Sequence, residues 1–164
     1  MPDDLYDRDI LEWSRRQAER LRRVARGERV NDVDWEHVVE EIEDVGRSEL
    51  NAVQSLLFQA MVHLLKVQGW PESDATAHWR LEAGVFLRGA KRRFSPSMRR
   101  HIAAGDLYAD ARALVRQARL DGRAPAPLPD VCPCTLDDLL ADPLDLAALQ
   151  ARLTQPTETN SRAE

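Results

Sequence analysis

Between Asn31 and Gln68 the apolar residues recur at helical spacing, no proline intervenes, and Gly46 is the one place for a bend. A continuous helix there would span about 55 Å at 1.5 Å per residue, and its apolar stripe has to be laid against other helices. No run of four or more residues alternates cleanly between apolar and polar, as a half-buried strand does. The chain is therefore expected to be all-α, a compact bundle of about four to five main helices with a C-terminal arm and a short helix. One helical domain is expected over residues 1–153. Residues 154–164 are polar and lack an apolar repeat, so they read as a disordered tail.

Capping chemistry sets the element boundaries. A first helix is expected from about Asp7 to Arg26, with Ile10, Trp13, Gln17, Leu21 and Val24 on one face and Gly27 as its stop. Asn31 and Asp32 read as the N-cap of the long second helix, and Gly69-Trp70-Pro71 as its end. Its stripe is Val38, Ile42, Val45, Ala52, Leu56, Ala60 and Val67. A third helix, Asp74 to Phe94, carries Trp79, Ala83, Phe86, Leu87, Ala90 and Phe94. Ser95-Pro96 opens a short fourth. Asp106 caps a fifth with Leu107, Ala111, Leu114, Val115 and Ala118 inward. The prolines within 124–129 impose an extended loop. Thr135 and Asp138 then form a variant capping box for a short helix through Leu140, and Asp145–Leu153 adds a turn or two.

Apolar residues make up 43% and charged residues 31%, the balance of a globular protein. The two cysteines, Cys132 and Cys134, stand too close together to staple a framework, which points to a reducing compartment. The opening MPDDLYDRDI lacks the basic start and apolar run of a secretory signal, and no stretch is long and apolar enough to span a membrane. A cytoplasmic location without membrane contact is expected.

The net charge of −5 argues against nucleic-acid binding by the whole surface. Charge is nevertheless segregated. Residues 28–70 hold nine acids and three bases, and residues 71–105 hold three acids and seven bases, so the two segments are expected to face each other. The bases Arg88, Lys91, Arg92, Arg93, Arg99 and Arg100 form a concentrated patch that could reach phosphates. No aromatic residues alternate with them, so nucleic acid is the less favoured partner.

Glu49 and His63 fall in the middle of the long helix's apolar stripe, and Gln17 takes the equivalent place on the first helix. Such groups are costly in a core unless hydrogen-bonded, so both are expected to be at least partly buried in polar networks. They lie about 21 Å apart along the axis and cannot share one small site. Two pairs, His37 with Glu41 and His78 with Glu82, have the i, i+4 spacing of helical metal ligands, but such spacing arises often by chance. Cys132-Pro133-Cys134 lacks the second pair that structural zinc needs. No metal or other cofactor is expected. Phosphate-binding glycine loops and nucleophile elbows are absent.

The string Glu40-Glu41-Ile42-Glu43-Asp44-Val45-Gly46-Arg47-Ser48-Glu49 resembles the signature of a bacterial family, domain of unknown function 29. His63-Leu64-Leu65-Lys66, Trp79, Cys132-Pro133, Thr135-Leu136 and Leu139-Leu140 follow in the family's order, and Tyr6-Asp7 through Trp13 fits its opening. The resemblance covers about residues 5–141 and implies a compact helical bundle, with no activity, substrate or cofactor attached. This chain departs from the pattern at Cys134, where an aromatic is usual, and at Val67, where an aromatic tends to follow the His-Leu-Leu-Lys string.

Without a catalytic constellation, the leading expectation is a non-enzymatic interaction module that binds a protein partner or itself. The polar residues singled out are Glu41, Asp44, Glu49, His63 and Trp79. The alternative is a metal- or nucleic-acid-linked activity, such as a small nuclease or a toxin–antitoxin component, built on Glu41, Asp44, His63 and the basic patch.

Overall fold

Asp9 divides the N-terminal helix in two. Its side chain accepts from the Glu12 N–H and caps α2 (Ile10–Ala25), leaving a single turn, α1 (Leu5–Arg8), before it. The chain is all-α: the computed structural model describes residues 5–154 and has seven α-helices, one 3-10 helix and no strand among them. Residues 155–164 of the expected tail lie outside the described residues, and Thr154 ends the last helix. Contacts group into two compact units, Met1–Ser48 and Glu49–Glu164, where the sequence reading expects one domain over 1–153.

In the first unit Gly27, at φ +81°, ends α2 as expected. Its N–H bonds to the Val24 carbonyl at 2.9 Å and the Glu28 N–H to Arg23 at 3.1 Å, a complete Schellman pair that only a residue tolerant of positive φ closes cheaply. The helix α3 (Trp35–Gly69) starts three residues later than Asn31-Asp32 predict. Asp34 is the residue that caps it, with a side chain engaged on two further fronts. Trp13, Val33 and Val38 form the small core, closed by Leu5, Tyr6, Leu21, Val24 and Val30. Gln17 is buried as the periodicity requires, and its Oε1 accepts from the Asp34 N–H at 3.0 Å.

Ile42 and Val45 depart from expectation. Both are 67% exposed, although the projected stripe places them inward with Val38. The same helix continues unbroken through Gly46 into the second unit, where Val53, Leu57, Ala60, Met61, Leu64, Leu65 and Val67 are the buried positions. The true stripe is therefore offset from the one drawn across all 35 residues. A helix that serves two cores does not keep one inward face.

In the second unit α4 (Thr76–Arg93) buries Trp79, Ala83, Gly84, Leu87 and Ala90. Ser95-Pro96 opens a 3-10 helix, Pro96–His101, rather than an α-helix. Next, α5 (Ala104–Gln117) has Ala103 at its N-cap with no side-chain hydrogen bond, so Asp106, expected to cap it, lies inside the first turn instead, and the helix buries Tyr108 with Ala111 and Val115. Leu114, expected inside, is exposed. The proline loop binds back along α3: the Ala126 N–H donates to the Gly69 carbonyl at 2.7 Å and Trp70 Nε1 to the Arg123 carbonyl at 3.2 Å. A Cβ on Gly69 would meet Pro125 Cβ at 2.7 Å, which is why glycine stands there. The Thr135–Asp138 capping box starts α6 (Leu136–Leu139), and Asp145 caps α7 (Leu146–Thr154), whose Leu149 and Leu153 reach the core.

Candidate functional site

The residues singled out from the sequence do not form one cluster. Glu41 and Asp44 belong to the first unit, and Glu49, His63 and Trp79 to the second. Each has its own local partners.

In the first unit, the Asp34 carboxylate accepts from Trp13 Nε1 at 3.0 Å and contacts His37 Nδ1 at 2.7 Å, while Tyr6 stacks on the His37 ring with centroids 3.9 Å apart. The Tyr6 hydroxyl donates to Glu41 at 2.7 Å, and that hydrogen bond, aided by desolvation, pushes the tyrosine up to about 12. Burial alone would raise Asp34, yet the bonds from His37 and Trp13 outweigh it and hold the carboxylate below its usual range. His37 is raised in turn by its hydrogen bond to Asp34. This network pins α1 and α2 to the start of α3. Sequence reasoning took His37 and Glu41 as a pair and missed Asp34 and Tyr6, although an aspartate three residues before a histidine at a helix start is a capping signal. Asp44 pairs with Arg47 at 3.1 Å on the surface.

In the second unit, Glu49 is exposed rather than buried. Both its carboxylate oxygens accept from Arg93 Nη1 at 3.1 Å, one ion pair between the acidic and basic segments, while the other acids of residues 28–70 belong to the first unit. His63 is half-buried beside Phe86, at 5.5 Å between ring centroids, with Nε2 at 3.6 Å from Glu82 and Nδ1 buried without a partner. Burial, then the nearby Lys66 charge, lowers its pKa. His78 reaches the other Glu82 oxygen at 3.8 Å. Among the described residues no group of three or more His, Cys, Asp or Glu is arranged to hold a metal ion. Trp79 is buried against Trp70, and Lys66 Nζ sits 4.5 Å over its ring.

Of the basic patch, Arg93 is bound to Glu49, Arg99 to Asp137 at 2.7 Å, and Arg100 to the His101 ring. Arg88, Lys91 and Arg92 remain as three cations on one face of α4. They border a cleft of about 580 Å³ whose floor includes Leu87 and Leu139. Cys132 and Cys134 are free thiols, both raised by burial, the second to about 11. Burial disfavours the thiolate form of each, the form that acts as a nucleophile or metal ligand.

The family model for domain of unknown function DUF29 matches residues 5–144. The chain belongs to the DUF29 family. A crystal structure of an alpha-helical protein of unknown function from Rhodospirillum rubrum is similar to it, at 32% identity with a TM-score of 0.69, covering 90% of this chain and 96% of that one. No curated protein matches. In this DUF29 domain the strings that carry the resemblance touch one another: Tyr6 of the opening bonds Glu41, and Lys66 of the His-Leu-Leu-Lys string covers Trp79. Val67 and Cys134, the two departures, are both buried and fill core space. No helix among the described residues is long and apolar enough to cross a membrane.

Proposed function

We propose that this DUF29 domain is a non-enzymatic interaction module, and that its first unit docks a second copy of the chain. The observation that carries the reading is an uncovered apolar stripe on α3. Trp35, Val39, Ile42 and Val45 are 55%, 52%, 67% and 67% exposed, a run of large apolar side chains within three turns of one helix rather than single scattered ones. At 100° per residue Trp35, Val39, Ile42 and Gly46 fall within about 60° of one another. Their spacing of four, three and four residues reads the same in both directions.

A self-complementary pattern of that kind suits an antiparallel pair about a two-fold axis, the isologous contact of most small dimers. Val39 of one copy then lies against Ile42 of the other. The Trp35 ring seats over the partner's Gly46, where an added Cβ would meet nothing within 4 Å. The stripe is about three turns long, so the dimer is a weak one by the scale of stable interfaces.

The metal- and nucleic-acid-linked alternative has less support. Glu41, Asp44, Arg93 and Arg99 are engaged by neighbours in their own units. Light scattering over a concentration series tests the proposal: the mass should climb from one chain toward two, and Ile42→Glu should stay at one chain without loss of folding. A wild-type mass of one chain at every concentration, or a dimer untouched by Ile42→Glu, would refute it.

A further inference from the structure

The cleft beside α4 lies in the second unit and takes no part in the docking proposed above. Arg88, Lys91 and Arg92 line it together, at i, i+3 and i+4 on the helix, and a helix brings those positions to one face. Among the described residues none of the three has an ion-pair or hydrogen-bond partner, whereas Arg93 and Arg99 each find a carboxylate nearby. Cations in a last helical turn suit the carbonyl end of the helix dipole. That accounts for Lys91 and Arg92, but not for Arg88, a turn earlier, or for their convergence on one concavity.

Leu139 at the end of α6, with Pro143 and Leu144 from the turn to α7, lines the same cleft, and Val85 of α4 adds to its apolar lining, 59% exposed. Asp142 is the one acid on the rim. An apolar floor with a few convergent polar groups at its edge is the pattern of small-molecule sites, and about 580 Å³ lies within their usual range. No aromatic side chain lines the cleft, so a nucleobase would find no stacking platform there.

We infer that this cleft binds a small amphiphilic anion, a carboxylate or phosphate head on an aliphatic body. The head lies between Arg88, Lys91 and Arg92, and the body lies along Leu139, Leu144 and Val85. Guanidinium groups at two of three positions favour a planar or multidentate oxyanion over a lone point charge.

Decanoate is a suitable probe, titrated calorimetrically into the whole protein. It should bind saturably, one per chain, while acetate, with the same head and no body, gives no measurable heat. Arg88→Ala with Arg92→Ala should weaken decanoate about tenfold or more, the worth of one lost charge-assisted hydrogen bond. Val85→Asp, a change at an exposed position that does not threaten the fold, should weaken it as well. Equal binding by wild type and the double arginine variant would overturn the inference, and so would acetate binding as tightly as decanoate. Binding to vesicles of anionic phospholipid but not to free decanoate would overturn it too, by assigning the bases to a membrane surface.

Discussion

His37 and His63 respond to protons in opposite senses. Asp34 raises the folded pKa of His37, so the stability that pairing contributes is complete below the ordinary value of about 6.5 and is lost as pH rises through the raised one. Burial lowers His63, so its contribution is complete above about pH 6.5 and is lost as pH falls below it. Thermal unfolding between about pH 8 and pH 5.5 checks this. His63→Gln should flatten any loss of stability on acidification, and His37→Gln should steepen it. Identical pH profiles for the two variants would contradict both assignments. Glu49→Ala should cost well under about 1 kcal/mol, because the Glu49–Arg93 pair is solvent-exposed. Both Glu49 and His63 had looked like core polar residues. Glu49 does share the helix face of buried Ala60 and Val67, but it stands at the first position of the second unit, where the side chain that reaches it is Arg93 from the last turn of α4, so the face is not covered there.

Single elements were legible where local chemistry decides them. Gly27, the Thr135–Asp138 box and Pro96 at the start of a helix each act through bonds within a few residues, and sequence carries those directly. The start of α3 was less so, since Asn31, Asp32 and Asp34 are all competent caps, and what distinguishes Asp34 is tertiary: its carboxylate accepts from Trp13 and its N–H donates to Gln17. Tyr108 entered the core unannounced, because its hydroxyl is satisfied by the distant Pro129 carbonyl at 2.8 Å. Thr135→Ala should destabilise the second unit by about 1 kcal/mol, the usual worth of an N-cap, as read by denaturant unfolding. Gly46 offers a sharper test at this scale. Gly46→Leu should stabilise α3 by about 0.5–1 kcal/mol through helix propensity, since nothing crowds the site. It should also weaken self-association by filling the seat for Trp35. A variant that is more stable and dimerises equally well would separate the glycine from the interface.

Across the whole molecule the all-α class and the family were readable from periodicity and ordered motifs, while the division into two units was not. The helix runs unbroken through Ser48, and the sequence marks the place only by charge, since the acids stop at Glu49 and residues 50–65 carry none. The exposed stripe followed from the same hidden division: residues assigned to a continuous core face turned out to lie on a surface. Charge gives that surface a signature. In an antiparallel pair like flanks meet, so Glu36, Glu40 and Glu43 of one copy approach the same acids of the other, and added salt should tighten the dimer by screening them. A dimer held by opposite charges would loosen instead.

Disulfide trapping measures the proposed contact most directly. Chains carrying Val39→Cys are mixed with chains carrying Ile42→Cys and oxidised. The native Cys132 and Cys134 are left in place, because burial keeps both thiols protonated at neutral pH. The antiparallel register predicts that the 39-to-42 cross-link between unlike chains forms faster than either like-chain cross-link. No cross-link beyond that of a control cysteine placed at Arg15 on α2, or equal rates for all three products, would contradict the docking of one α3 stripe on another.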